Sequence, residues 1–264
     1  MDEGLKGQVT RSAAEIYEEF FVPALFRRWA PIVADAAGIG AGQRVLDVAC
    51  GTGVLAREAA SRDASVTGLD RNEGMLATAR HIGPSIEWKT GRAEELPFAD
   101  ARFDAVVSQF GLMFFDDRAE ALREMRRVLK PGGRLAVAVW DRLESSPGYA
   151  AMAALLERLF GPRIAGELHA PFALGDPEAL RALFEEAGMS DAKVASHAGT
   201  ARFPSIEAWV RTDVKGWTLA DLIDDEQYAL LLREAATALR TYVKADGIVV
   251  FDAPALIATA RKAA

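Results

Sequence analysis

Between residues 44 and 140 the apolar positions alternate between two rhythms. Short apolar runs fall at Arg44–Val48, Ser65–Leu69, Ile86–Lys89, Phe103–Ser108 and Arg134–Trp140. Most are rich in Val, Leu or Ile, which predicts buried strands. Stretches at Val54–Ser61, Glu73–His81 and Arg118–Leu129 separate them and predict helices. This βαβαβ rhythm implies an α/β fold with a parallel sheet covered by helices on both faces. Crossovers between parallel strands are almost always right-handed, so a doubly wound sheet follows.

The flanking regions are less regular. Residues 10–39 predict two helices. Ser12 and Glu15 have capping-box spacing, and Ile16, Tyr17, Phe20 and Phe21 recur at helical spacing. Pro23 breaks the first helix or starts a second, which runs from Ala24 to Ala37 and stops at Gly38. Beyond residue 143, helices are expected at Pro147–Phe160, from Asp176-Pro177 to Gly188, at Ser205–Trp217 and at Asp224–Val243. Strands are expected near Ala192–Ala198 and within Ile248–Arg261.

Composition narrows the setting. Hydrophobic residues make up 50% of the 264 and charged residues 26%, enough for a sizeable core. The net charge of −7 argues against a broad surface for nucleic-acid backbones. Cys50 is the one cysteine, so no intrachain disulfide can form. An acidic start with no apolar segment behind it, and no run long enough to span a bilayer, points to a cytoplasmic protein without a membrane partner.

The chemistry concentrates in Val45-Leu46-Asp47-Val48-Ala49-Cys50-Gly51-Thr52-Gly53, a strand leading through a glycine turn into a helix. Glycines there permit tight turns and close approach of a ligand, and helix-start N–H groups favour electron-rich atoms. Gly51-Thr52-Gly53-Val54-Leu55-Ala56 also satisfies the dinucleotide pattern, and Asp70 stands 19 residues after Gly51, where a ribose-binding acid is expected. An NAD-dependent oxidoreductase is therefore a competing reading. Asp47 separates the two. A carboxylate beside the loop repels a pyrophosphate and attracts an ammonium. Cys50 reads as a small space-filling residue, with no adjacent cation to activate its thiol.

Residues Val45–Gly53 resemble motif I of the class I S-adenosylmethionine (SAM)-dependent methyltransferases, in the small-molecule branch that includes the ubiquinone and menaquinone biosynthesis enzymes. Val66–Asp70, Gly91–Phe98, Phe103–Ser108 and Arg127–Leu135 resemble that family's later segments, in order. The resemblance implies a Rossmann-like, mostly parallel seven-stranded sheet with one antiparallel strand near the C-terminus. It also implies SAM as cofactor, S-adenosylhomocysteine as product, and methyl transfer to a small organic acceptor. It assigns cofactor contacts to Asp47, Ala49, Gly51, Thr52, Gly53, Asp70, Arg71, Met75, Ala93, Glu94, Gln109 and Phe110. Two positions depart from the family: Ala49 stands where many members carry Gly, and Arg92 where many carry an Asp that accepts from the adenine amino group. Arg cannot accept a hydrogen bond.

A three-part organisation follows, with a helical cap over residues 1–39, a cofactor core over 40–142, and the rest of the sheet with an inserted acceptor cap over 143–264. Tyr17, Phe21, Met113, Phe114 and Trp209 are candidates for the acceptor pocket, and the second cap also offers Arg211 and Trp217. Methyl transfer from a sulfonium needs alignment and water exclusion more than a base. Tyr17 and His169, the latter in an expected loop, are the candidate catalytic side chains. No cluster has metal-ligand spacing, so no metal is expected. A SAM-binding protein without catalysis is the third reading.

Overall fold

The structure, a computed structural model, describes residues 11–215, 219 and 222–263. The chain enters through α1 (Arg11–Ile16), runs directly into a π-helical segment (Tyr17–Phe26), and continues as α2 (Trp29–Ala36). Pro23 neither breaks nor starts a helix; it lies inside the π segment. In an α-helix its ring crowds the preceding turn, and the wider π coil relieves that clash. Ser12 lies within α1 rather than ahead of it. Gly38, at φ +61°, ends the second helix as expected.

The alternating region then forms β1 (Arg44–Val48), α3 (Val54–Ser61), β2 (Ser65–Asp70), α4 (Glu73–Ile82), β3 (Glu87–Thr90), β4 (Phe103–Gln109), α5 (Arg118–Val128) and β5 (Leu129–Trp140). β1 pairs in parallel with β2 and β4. β5 begins earlier than the expected Arg134, because Leu129 pairs with Phe103 before a register shift that accommodates Lys130–Gly133. Asn72 and Asp117 cap α4 and α5 by accepting backbone N–H groups of Met75 and Glu120.

The remainder comprises α6 (Pro147–Phe160), α7 (Pro162–His169), α8 (Pro177–Glu186), β6 (Lys193–His197), β7 (Thr200–Phe203), α9 (Ile206–Lys215), α10 (Asp225–Ala238), β8 (Val249–Asp252) and β9 (Ala255–Arg261). The expected helix to Val243 ends at Ala238 and is followed by a 3-10 turn. α7 and β7 were not expected. α7 is only eight residues long and carries Gly166, which blurs its period. The strand signal of Ile248–Arg261 is two strands divided at Ala253-Pro254. Trp217 lies outside the described residues.

Seven strands form the main sheet in the order β3-β2-β1-β4-β5-β9-β6. β9 runs antiparallel to both β5 and β6, so one strand near the C-terminus is reversed, as expected. β7 and β8 pair as a separate two-stranded sheet. With α9 and α10 they form an excursion between β6 and β9. The order reverses beside β1 and β4, which opens a crevice at their C-terminal ends. Among the described residues, no helix is long and apolar enough to cross a membrane.

Candidate functional site

The loop after β1 alternates left-handed and ordinary backbone. Ala49, Gly51 and Gly53 have φ of +57°, +55° and +88°. This explains why glycine suits the position of Ala49: an L-residue there costs about 1–2 kcal/mol. Gly53 is doubly constrained. A Cβ on it would come 2.2 Å from the Trp88 ring. Phe110, at the end of β4, is also left-handed at φ +57°. Strained non-glycine residues thus sit at both strand ends that flank the crevice, a common mark of a binding site.

Asp47 is 1% exposed, and neither carboxylate oxygen has a hydrogen-bond partner among the described residues. Burial pushes its pKa up to about 8; the Ala56 backbone N–H offsets part of this without completing a hydrogen bond. Thr52 Oγ1, Ser108 Oγ and Gln109 Oε1 are likewise buried and unpaired among the described residues. Asp70 is held differently. One oxygen accepts the Gly51 N–H and the other the Asn72 N–H, each at 2.8 Å. Burial raises its pKa, and these two N–H groups pull the other way. Each oxygen keeps a lone pair for a hydroxyl.

The N-terminal segment covers this loop. The Tyr17 ring stands 4.0 Å from where a Gly51 Cβ would be, and stacks on Phe26 at 5.3 Å. Glu18 pairs with Arg57 of α3 at 2.7 Å, and Gln109 Nε2 donates to the Phe26 carbonyl at 3.2 Å. Desolvation, then Glu18, Asp70 and Asp47, holds the Tyr17 hydroxyl above its usual range, so it keeps its proton and is a poor base. The Cys50 thiol is buried and also pushed up, chiefly by burial, consistent with a packing role.

The other expected contacts spread along the crevice. Met75 and Ala93 are buried, in the first turn of α4 and in the segment after β3. Glu94 accepts the Asp116 N–H at 3.0 Å. Arg92 donates to Asp116 at 2.9 Å, and Arg71 lies 3.7 Å from the same carboxylate. Arg92 therefore ties two surface loops together.

On the acceptor side, Phe110 stacks on Trp140 at 3.9 Å. Phe26 packs 5.5 Å from Phe110 and 6.0 Å from Trp140. Behind these rings lies a small cavity lined by Phe21, Phe26, Trp140, Tyr149, Phe172 and Asp213, among others. Of the expected pocket residues, Phe21 lines it. Met113 is buried in a 3-10 turn (Leu112–Phe114) with Phe114 packed beside it, and neither reaches the cavity. Trp209 is a correction. It is fully buried against Phe203 and Phe251 and does not line the cavity. His169 is another: it ends α7, not a loop, and is exposed. One helical step turns it away from the cavity that the neighbouring Leu168 lines. Sequence reasoning missed Asp213, Tyr149 and Ser108. Ser108 had a signal, since it stands one residue before the end of the strand beside β1; Asp213, a lone acid on a helix, had none.

A methyltransferase domain family matches residues 46–137. A demethylmenaquinone methyltransferase of Renibacterium salmoninarum is 48% identical over 121 residues, 46% of this chain and 51% of that protein. A ubiquinone/menaquinone biosynthesis C-methyltransferase of Hahella chejuensis is 38% identical over 132 residues, 47% and 53% of the two chains. This chain spans about half the length of the curated relatives it matches. Among solved structures, phosphoethanolamine N-methyltransferase 2 of Haemonchus contortus, crystallised with SAM, aligns with a TM-score of 0.64 and 22% identity over 98% of this chain and 58% of its own. An antibiotic-pathway methyltransferase homologue from Anabaena variabilis aligns with 0.64 at 18%, over 88% and 96%. These structural likenesses show the fold. With the glycine loop, the two acids and the strand order already described, residues 46–137 match a methyltransferase domain.

Proposed function

We propose that this chain binds SAM at the C-terminal ends of β1, β2 and β4 and moves its methyl group to a small organic acceptor. The chemistry around the glycine loop carries the reading. Asp47 and Asp70 are buried with no ion pair to either among the described residues, and Thr52, Ser108 and Gln109 add unpaired oxygens. Such a lining suits an ammonium and ribose hydroxyls and opposes a pyrophosphate. The residues therefore fit SAM better than NAD.

Asp47 would take the ammonium of the methionine moiety, with Thr52 and Gln109 beside it. Asp70, held by the Gly51 and Asn72 N–H groups, would take the ribose hydroxyls. Ala49, Gly51 and Gly53 would let the backbone approach closely. Arg71, Met75, Ala93 and Glu94 would border the adenosine, and Phe110 the reacting end. Bound there, SAM supplies a methyl group already activated on a sulfonium. The protein's part is then to align the acceptor and exclude water, which the Tyr17–Phe26 segment over the loop favours. The caps at 1–39 and within 143–264 would flank a core at 40–142. The relatives named demethylmenaquinone methyltransferase support a quinone-type acceptor, and the rings of Phe26, Phe110 and Trp140 offer an apolar wall for it.

Transfer of label from methyl-labelled SAM to a panel of quinols, phenols and amines tests the reading. Label on any one acceptor supports it. A fluorescence change of NADH on mixing, without response to S-adenosylhomocysteine, contradicts it.

A further inference from the structure

The cavity behind the aromatic layer is lined by two acids, Glu167 and the more deeply buried Asp213. Asp213 of α9 is 6% exposed and lines the cavity with Phe26, Trp140, Tyr149, Leu168 and Phe172. Its Oδ2 has no partner among the described residues, and neither has the Trp209 indole N–H next to it. The Tyr149 hydroxyl also adjoins Asp213. A buried carboxyl oxygen without a partner is costly, and native proteins rarely keep one without a use. Everything else named around it is ring or aliphatic surface, except Glu167, half-buried, which also lines the cavity.

We propose that this cavity is an acceptor-binding chamber, and that Asp213 Oδ2 hydrogen-bonds the hydroxyl of an uncharged aromatic ligand of the phenol class held between Trp140, Phe172 and Phe26. The assignment deepens the methyl-transfer reading, and its word "acceptor" rests on that reading. Two features favour this ligand class. Stacked and tilted rings suit a planar apolar body. A buried carboxyl oxygen among rings rewards one hydroxyl, because a ligand lacking it leaves that oxygen unpaired. Burial pushes Asp213 up to about 8, opposed by Trp209 and Tyr149, so near neutral pH it serves a neutral partner. The cavity has a volume of about 30 Å³, room for about two waters. Admitting a ring requires the half-buried Phe172, which packs 5.7 Å from Tyr149, to swing aside.

Equilibrium dialysis with 1-naphthol and with naphthalene tests this on the full chain. The wild type is expected to prefer naphthol at least tenfold. Asp213→Leu, close in volume and freed of a buried carboxyl, is expected to lose that preference, and Leu168→Trp to abolish binding of both probes. Retention of the preference in Asp213→Leu, unchanged binding in Leu168→Trp, or no binding of either probe to folded wild type overturns the proposal. Affinity for S-adenosylhomocysteine is measured separately on each protein. Naphthol binding without it leaves the chamber standing and the methyl-transfer reading fallen; the reverse does the opposite.

Discussion

Asp47 at the end of β1 and Asp213 on α9 are both buried, and burial pushes both carboxyls up to about 8. Their surroundings differ. Asp47 belongs to a polar, strained region: left-handed Ala49, Gly51 and Gly53, and unpaired oxygens on Thr52, Ser108 and Gln109. Asp213 belongs to a relaxed, aromatic one, where Tyr149, Phe203, Trp209 and Phe251 pack edge to face, stacked or tilted. Backbone strain and unpaired polar atoms gather where a polar ligand is to be held. A packed aromatic wall with a buried acid shapes a space for an apolar one. The same buried carboxyl group thus serves two kinds of recognition, according to what surrounds it.

The largest expected effect concerns pH. Unfolded, each carboxyl titrates near 4; folded, each holds its proton up to about pH 8. In that window the native state binds a proton that the unfolded state has released, so stability falls as pH rises. The slope is roughly 1.4 kcal/mol per unit for each group. Asp47→Asn and Asp213→Asn should each gain stability relative to wild type between pH 5 and 7.5, and thermal melts at the two pH values would show it. Parallel pH profiles for variants and wild type would remove this shared feature from the comparison.

Next is the strain of the loop. Gly53→Val adds a β-branched side chain at φ +88° against Trp88 and is expected to cost about 3 kcal/mol in denaturant unfolding. A cost below about 1 kcal/mol would mean the loop relaxes freely. Then comes selectivity between the two acids. Asp47→Asn should weaken S-adenosylhomocysteine tenfold to about a hundredfold, the worth of a charge-assisted hydrogen bond, while Asp213→Asn leaves it within about twofold. Calorimetry on both variants separates the two regions; equal losses would merge them. The smallest effect lies in the cap. Gly166 of α7 has nothing within 4 Å of its Cβ position, so Gly166→Ala should stabilise by about 0.8 kcal/mol, seen in the same unfolding curves.

The two regions also differed in how legible they were. Between residues 44 and 140 each buried strand and amphipathic helix announces itself by its period, and Asp47, Gly51, Gly53 and Asp70 stand at strand ends that the rhythm locates. The excursion was harder to read. α7 is short, β7 has four residues, and Pro23 sits in a π-helical segment that the period of the sequence does not announce. Trp209 looked like a pocket residue because its type suits one, but its contacts with Phe203 and Phe251 place it in the core. Asp213 was invisible for the opposite reason: only the packing of α9 behind Trp140 and Tyr149 makes it unusual. Arg92, which seemed to trouble the adenine site, is engaged with Asp116.

Isothermal titration of the wild-type chain with S-adenosylhomocysteine near pH 7 tests the central claim most directly. The account expects saturable one-to-one binding at micromolar ligand, weakened by Asp47→Asn. No detectable binding at millimolar ligand would contradict it.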